Sequence, residues 1–429
     1  MGKKAVKFGG TSLCNAAQMK KAAEIVRADT ERQLVIVSAP GKRMPQDEKI
    51  TDMLFRMQKA GNLNERKEIF KAVQNRFDMM IHELLLPLDF SEEYCYIAEE
   101  ANGDFLISRG EYFCAKIFAA LLDFTFIDAK DVIFFKENGM IDTEKTRKMF
   151  AERLSENEKA VIPGFYGSMP NGDIRLFPRG GSDITGAVVA DAIHADIYEN
   201  FTDVSGFLLT DPKIVNNPKT VPTLSYGELR RLSSMGAFVL HADTILPLYE
   251  KKIPIVIRNT NDPNGACTWI MSQKTENAVG GIVGQKGYTL FSVSRTGIGE
   301  DIADFKELLS LFERYTSSVY STPRTVDACG ILVKSEDIQN EKEKILHEIH
   351  TYFHAESVVL TERMALLSVI SEGSASQNTK IILQTMEEIG AVPLLLDGGA
   401  DMLGVTVGFD ESYLEKLIVR LYEIFEKDL

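Results

Sequence analysis

The chain has 429 residues, of which 45% are hydrophobic and 26% charged, a composition typical of a globular protein with a large buried core. Because 62 acidic residues stand against 48 Lys and Arg, the formal net charge of -14 argues against nucleic acid and anionic membranes as partners. No apolar run is long enough to span a membrane and the first residues lack the apolar core of a signal peptide, so we expect a cytoplasmic protein. The five cysteines and six histidines are scattered without metal-ligand spacing, which predicts no dedicated metal site.

The first stretch with chemical content is Lys4–Ser12, a short apolar strand that runs into Gly9-Gly10 and then into a helix predicted from about Ala16 to Asp29. Backbone without Cβ atoms can approach a phosphate closely, and N–H groups near a helix start point towards it. Lys7 adds a positive charge, and two hydroxyl residues follow the glycines. The pattern matches neither the P-loop nor the dinucleotide fingerprint. From these residues alone, a phosphate cradle and an ordinary tight turn are equally good interpretations.

Two later apolar runs, residues 34–38 and 160–165, are typical of strands covered on both faces of a parallel sheet. Between them, Thr51 opens a helix pattern and fits a helix cap. Ser108 and Glu111 fit an S-x-x-E capping box at the head of an apolar helix predicted from Tyr112 to Phe124.

A second glycine pair lies in Arg179-Gly180-Gly181-Ser182-Asp183, after a hairpin predicted at Asn171-Gly172. It leads into a helix predicted from Gly186 to His194, for which Ser182 or Asp183 would serve as the N-cap. Two turns of the phosphate-binding type in one chain are less probable by chance than one. Their coexistence favours the phosphate-cradle interpretation of the first pair.

The third candidate cluster combines Phe201–Gly206 with Thr210–Lys213, a strand followed by turn residues, and a further strand ends at Arg258. Residues 271–287 contain four glycines and predict a linker. Beyond it, short strands and amphipathic helices occur in two successive sets, each close to βαββαβ, so an internal repeat is expected.

Four of these segments resemble signature motifs of the aspartokinases, within the amino-acid kinase superfamily: Lys7–Ser12, Ser108–Glu111, Arg179–Asp183 and Thr202–Val204. The repeated tail resembles a pair of ACT domains. The resemblance implies an α/β fold, with an amino-acid kinase-like open parallel sheet sandwich in residues 1–280. Two ferredoxin-like (ACT) βαββαβ units would follow in residues 288–362 and 363–429. The remaining length leaves no room for a fused homoserine dehydrogenase, so we expect a monofunctional chain.

For the chemistry, the resemblance implies transfer of the γ-phosphoryl group of ATP to the side-chain carboxylate of L-aspartate, the first step of lysine, threonine and methionine biosynthesis. Mg²⁺ would arrive with ATP and be held mainly by phosphates and waters. Arg179 would clamp the α-carboxylate of aspartate, and Glu111 would meet its ammonium group. The implied catalytic residues are Lys7 and Asp183; the ATP contacts are Lys7, Phe8, Gly9, Gly10, Ser12, Thr202, Asp203, Lys213 and Arg258; the substrate contacts are Thr51, Glu111, Arg179, Gly180 and Ser182.

For regulation, the resemblance implies a homodimer or dimer of dimers that is inhibited by an amino-acid effector, lysine more than threonine. The expected effector site is a turn that faces a strand over 317–321, and its residues are Gly297, Ile298, Glu300, Asp301, Ser317, Ser318 and Val319. Two positions depart from the family pattern: Phe238 stands where many members have lysine, and Leu208 where they often have tyrosine. Two alternatives remain open, another amino-acid kinase such as one acting on glutamate, and a non-catalytic amino-acid sensor with a decayed kinase domain. Phe238 motivates the sensor, whereas retention of Lys7 and Asp183 argues against it.

Overall fold

The computed structural model describes residues 2–155, 158–178, 180–236, 246–273, 279–373, 375–398 and 403–429. The chain forms two compact units. The first comprises Met1–Phe207, Thr220–Ser233 and Phe238–Lys274, and the second comprises Leu208–Lys219, Ser234–Ala237 and Thr275–Leu429. The domain boundaries predicted from the sequence stay predictions. Within the described ranges, no helix combines the length and apolar character needed to cross a membrane.

The first unit alternates helices with mostly short strands. In chain order its elements are β1 Lys4–Phe8, α1 Ala16–Arg27, β2 Arg32–Val37, α2 Ile50–Gln58, α3 Leu63–Leu84, α4 Ser91–Glu99, α5 Gly103–Leu122, β3 Thr125–Phe126, α6 Thr143–Arg153, β4 Ala160–Pro163, β5 Tyr166–Ser168, β6 Ile174–Leu176, α7 Gly181–Ala192, β7 Ile197–Thr202, β8 Thr223–Ser225, α8 Tyr226–Ser234, α9 Leu246–Lys251, β9 Ile255–Asn259 and β10 Thr268–Met271.

Eight of these strands form one sheet in the order β3-β4-β2-β1-β7-β9-β10-β8. All neighbouring pairs are parallel except β9 with β10. The strands at the centre, β1, β2 and β7, are almost entirely buried, as expected for a sheet covered on both faces. Because parallel strands end at the same edge, the residues after β1, β2 and β7 come together there. The open, mostly parallel α/β sheet predicted for this part of the chain is confirmed.

The helices α2, α5 and α7 begin earlier than the sequence pattern predicted. Helix α5 begins at Gly103, so the capping-box interpretation of Ser108 is wrong. Ser108 lies inside the helix, and its hydroxyl donates a 2.7 Å hydrogen bond to the carbonyl of Phe105. Helix α2 begins at Ile50 with Lys49 as its N-cap, so Thr51 does not cap it. In α5 Leu106 and Ile107 are buried before Ser108, and the helix extends more than a turn towards the N-terminus from Ser108.

Helix α7 begins at Gly181 and is capped by Gly180, which has a φ of 77°, so neither Ser182 nor Asp183 is an N-cap. A left-handed φ favours glycine, and a Cβ on Gly181 would lie 2.5 Å from the Phe165 ring. The prediction started the helix too late because its first residues are small or polar. The predicted Asn171-Gly172 hairpin is confirmed by the antiparallel pairing of β5 with β6.

The second unit is an antiparallel five-stranded sheet with helices, in the strand order β12-β11-β13-β15-β14. The fold class predicted for this part, ferredoxin-like (ACT) units after the kinase-like sheet, is confirmed as a C-terminal antiparallel sheet with helices. Its elements are β11 Gly281–Ser294, α10 Ile302–Phe312, β12 Ala328–Lys334, α11 Lys342–Phe353, β13 Ser357–Ile370, α12 Ala375–Ile389, β14 Leu395–Gly398, β15 Val405–Asp410 and α13 Leu414–Phe425.

Two predictions about this unit are wrong. From Gly281 onwards the predicted linker belongs to β11, and Gly287, with a φ of 84°, lies where the register of that strand shifts against β13. Glycine in a strand often marks such a bulge. Residues 317–320 form no strand; the segment makes its first bridge at Ser321, to Leu332. Strands β11 and β13 are 14 residues long each, and β13 runs across the predicted boundary between the two repeats.

Candidate active site

A large cavity of about 980 Å³ lies at the edge of the sheet where β1, β2 and β7 end. It brings together predicted residues from the helices α2, α5 and α7, from the strands β1 and β7, and from the adjoining loops. These lining residues are Lys7, Gly9, Gly10, Thr51, Glu111, Gly180, Ser182, Asp183, Thr202 and Asp203. Their sequence separation reaches almost two hundred residues, and the parallel sheet topology is what brings them into one cavity.

Lys7 is the buried cation of this cavity. It lies on β1 and is 7% exposed, and its Nζ is 2.7 Å from Oδ1 of Asp183, in the first turn of α7. Asn200, directly opposite Lys7 in the register of β1 and β7, donates a 2.9 Å hydrogen bond from Nδ2 to the same Oδ1. Oδ2 of Asp183 has no partner among the described residues. The carboxylate therefore holds Lys7 through one oxygen and presents the other to a ligand.

The sequence analysis missed Asn200. The signal that could have found it is a polar residue in a buried strand, since Asn200 is 3% exposed on β7. Its Oδ1 and the hydroxyl of Tyr198, two residues earlier on the same strand face, are buried without partners among the described residues. Buried polar atoms without partners are uncommon, so this face of β7 has unused hydrogen-bonding capacity beside Lys7.

The glycine pair after β1 serves close backbone packing. The N–H of Gly9 donates to the carbonyl of Phe201 at 2.9 Å, so it is already satisfied. A Cβ on Gly10 would lie 2.7 Å from the carbonyl oxygen of Ala39, which makes glycine necessary there. The N–H groups of Gly10 and Thr11 have no partner within the described part of the chain. The free donors of the turn are thus those of Gly10 and Thr11 rather than of Gly9.

Glu111 is the buried carboxyl group of the cavity. It lies on α5 and is 4% exposed, and its Oε2 is buried with no partner among the described residues. Burial raises the pKa of Glu111 to about 8, although the backbone N–H of Ala39 and the charge of Arg109 act to lower it. Burying a carboxylate without a counter-ion costs free energy. The Oε2 of Glu111, which lacks a partner among the described residues, therefore favours a cationic ligand group.

Three predicted ATP contacts of the first unit do not line this cavity. Phe8 stacks on Phe201 in the core, with 5.1 Å between ring centroids. Ser12 is buried, and its hydroxyl lies 2.6 Å from that of Thr260. Arg258 donates to the carbonyl of Pro263 and lies 3.6 Å from Glu199, on the opposite face of the sheet from Lys7. Their contacts with ATP stay predictions.

Four other positions cannot be related to the cavity. Lys213 and Leu208 belong to the second unit, and the Lys213 N–H donates to Asp211 Oδ1. Arg179 and Phe238 lie outside the described residues. The roles predicted for Lys213 and Arg179 stay predictions.

The predicted effector turn lies at the start of α10 in the second unit. The carboxylate of Asp301 accepts hydrogen bonds from the N–H groups of Ala303 and Asp304, so it caps this helix. The N–H of Gly297 donates to Asp327 at 2.8 Å. Of the other predicted residues, Ile298 is buried and Val319 packs on the core of the unit. Ser318 donates its backbone N–H to the Thr316 hydroxyl. Glu300 and Ser317 are exposed. Their role as an effector site stays a prediction.

Comparison with known proteins identifies the family. The model of the amino acid kinase family matches residues 3–259. Aspartokinase 3 of Bacillus subtilis is 29% identical over 452 aligned positions, which cover 98% of each chain. The crystal structure of Clostridium acetobutylicum aspartate kinase superposes with a TM-score of 0.91 at 34% identity, covering 99% of this chain and 100% of that one. Escherichia coli aspartokinase III shares the fold at 22% identity. Its structure with lysine and aspartate superposes with a TM-score of 0.77 and covers 99% of each chain. Its structure with aspartate and ADP superposes with a TM-score of 0.72 and covers 97% of this chain and 98% of that one. The chain belongs to the amino acid kinase family and, within it, to the aspartokinases.

Proposed function

We propose that the cavity around Lys7 catalyses the aspartate kinase reaction, in which the γ-phosphoryl group of ATP is transferred to the side-chain carboxylate of L-aspartate. The observation that carries this proposal is the pairing, in one cavity, of a buried carboxyl group at Glu111 with the preorganised cation Lys7. The first suits an amino-acid substrate and the second a transferring phosphoryl group. The E. coli relative was solved with aspartate and ADP, which supports ATP as the donor.

On the substrate side, Glu111 receives the α-ammonium group of aspartate through its unpartnered Oε2. Such a pair is buried, so the ammonium supplies the counter-ion that the carboxylate lacks. Thr51, Gly180 and Ser182 line the same cavity. They would contact the rest of the substrate. Arg179 would take the α-carboxylate through its planar fork.

On the phosphoryl side, Lys7 supplies positive charge to the oxygens of the transferring group, as phosphoryl transfer depends mainly on positioning and charge stabilisation. Asp183 and Asn200 hold Lys7 in place. The aspartate carboxylate is ionised near neutral pH, so it attacks phosphorus without a general base. The N–H groups of Gly10 and Thr11 are available to phosphate oxygens.

Mg²⁺ fits this cavity as an ion carried by the nucleotide. Oxygen ligands suit Mg²⁺, and both Asp203 and the free Oδ2 of Asp183 line the cavity. Over the described ranges, no cluster of three or more His, Cys, Asp or Glu side chains has the geometry of a protein-made metal cage. Asp183 and Asp203 would therefore bind water molecules that coordinate the Mg²⁺ ion. When bound, the ion would neutralise charge on the phosphates.

The test is a product assay. Purified chain is incubated with ATP, Mg²⁺ and either aspartate or glutamate, and the acyl phosphate is trapped as its hydroxamate. Product with aspartate is expected. Product with glutamate alone would identify another amino-acid kinase, and no product with either substrate would leave the non-catalytic sensor as the function.

We further propose that the second unit binds lysine or threonine at the turn before α10 and that the effector inhibits the kinase. The E. coli relative was solved with lysine, which supports lysine first. Coupling between such sites is typically ~1–3 kcal/mol, so the effector should raise the Kd for aspartate about 5- to 150-fold, and aspartate should weaken effector binding equally. Calorimetric titrations of both amino acids, with and without aspartate, measure this; if neither binds, the regulatory proposal fails. A homodimer or dimer of dimers in the cytoplasm is the expected assembly, and sedimentation analysis measures its size.

A further inference from the structure

A second cavity of the first unit, of about 400 Å³, shares no lining residue with the cavity of Lys7. It lies beside α4 and α5 and the segment after β3. We name it the Arg109 cavity; Tyr96, Phe105, Arg109, Tyr112, Asp128 and Lys130 are among the residues that line it. The proposed kinase reaction uses none of these side chains.

Arg109 is a buried cation whose hydrogen-bonding capacity is only partly used. It is 5% exposed, and its guanidinium carbon lies 4.3 Å from the ring centroid of Phe105 and 4.1 Å from that of Tyr112. Nε and Nη2 donate to the carbonyl of Phe105 and the hydroxyl of Ser108, at 3.2 and 3.0 Å.

The opposite edge of this guanidinium makes no contact with another polar group among the described residues. Within the same ranges, Nη1 has no hydrogen-bond partner and Arg109 forms no ion pair with a carboxylate. A guanidinium has five N–H donors, and two of them on one edge match the two oxygens of a carboxylate. A buried charge ordinarily has a counter-ion, so the free edge of Arg109 is the position for an anionic ligand group.

Asp128 is a buried anion in the same cavity. It is 8% exposed, and its Oδ1 accepts hydrogen bonds from the hydroxyl of Tyr166 and the N–H of Lys130, at 2.8 and 3.2 Å. Its Oδ2 has no partner within the described part of the chain and is available to the cavity. Arg109 and Asp128 thus line one cavity with opposite charges and do not pair with each other.

The remaining lining selects the ligand class. Glu92 and Glu93 also line the cavity, with Glu93 paired to Lys116 at 2.7 Å, so a polyanion such as a nucleotide is disfavoured. Tyr96 and Phe105 provide an aromatic wall. We propose that the Arg109 cavity binds a free α-amino acid with an apolar side chain. Its carboxylate pairs with Arg109, its ammonium group with Asp128, and its side chain packs on the aromatic wall.

The first test uses the full chain and three probes, phenylalanine, leucine and methionine, in calorimetric titrations. Saturating aspartate and lysine are present throughout, so that the proposed substrate and effector sites are occupied. At least one probe is expected to bind. For phenylalanine, the analogues 3-phenylpropanoate and phenethylamine each lack one of the two charges, and each should bind about 10-fold more weakly or worse. Absence of binding by all three probes overturns the proposal, as does equal binding of phenylalanine and either analogue.

The second test uses variants. Arg109→Lys keeps the charge but loses the planar fork, and Asp128→Asn keeps the size but loses the charge. Both should raise the Kd of the bound probe about 10-fold or more. Arg153→Lys, at an exposed position on α6, is the matched control and should leave the Kd unchanged. Thermal unfolding identifies any variant that fails to fold, in which case the analogue series with the unaltered chain decides. Unchanged affinity in folded Arg109→Lys overturns the proposal.

Discussion

Replacing Glu111 with glutamine tests the most perturbed group of the candidate site. The usual pKa of a glutamate is 4.5, and burial raises that of Glu111 to about 8. Between these two pH values the folded chain keeps a proton that the unfolded chain has released, so the contribution of Glu111 to stability falls as pH rises. At ~1.36 kcal/mol per pH unit, the cost at pH 7 is about 3 kcal/mol.

Glutamine at position 111 is neutral, and its side-chain oxygen still accepts a hydrogen bond from the N–H of Ala39. Glu111→Gln should therefore be more stable than the unaltered chain by about 3 kcal/mol at pH 7 in the absence of substrate. The gain should grow up to about pH 8 and vanish near pH 4.5. Urea unfolding at pH 5, 6, 7 and 8 measures it. Glu68→Gln, at an exposed position of α3, is the control and should show no such pH dependence.

The same substitution should weaken aspartate binding. Because the ammonium group pairs with the ionised carboxylate, binding below pH 8 requires Glu111 to release a proton. The affinity for aspartate should then rise about tenfold per pH unit between pH 6 and 7 and level off above 8. Glu111→Gln should lose both this slope and most of the affinity. A variant that is less stable at pH 8, together with a flat affinity profile for the unaltered chain, would refute Glu111 as the ammonium receptor.

Three further substitutions probe the elements around this site. Lys7→Ala should lower kcat by ~10² to 10³, since it removes a preorganised charge from the transferring group, and a near-normal steady-state rate would contradict the role of Lys7. Asn200→Leu removes one of the two donors to Asp183, so kcat should fall about tenfold while the KM for aspartate stays unchanged; a rise in KM alone would place Asn200 at the substrate. Gly110→Ala would bring a Cβ to 2.9 Å from that of Ala39. It should lower the free energy of unfolding by about 1 to 3 kcal/mol, and an unchanged urea midpoint would show that α5 and the segment after β2 can separate.

Local patterns were sufficient for much of this chain. Buried apolar runs predict β1, β2 and β4, and the Asn171-Gly172 turn predicts its hairpin, because strand burial and turn chemistry are properties of a few consecutive residues. The resemblance to family motifs singled out Lys7, Glu111 and Asp183, and they line one cavity.

Tertiary packing decided the rest. The start of α5 at Gly103 and the continuation of β11 from Gly281 depend on what their residues pack against, which no local cap or glycine signal reveals. The contact between Asn200 and Asp183 and the turning of Arg258 away from Lys7 depend on strand register across the sheet. Register joins residues far apart in the chain, and a shift by one residue reverses the side of the sheet that each side chain faces.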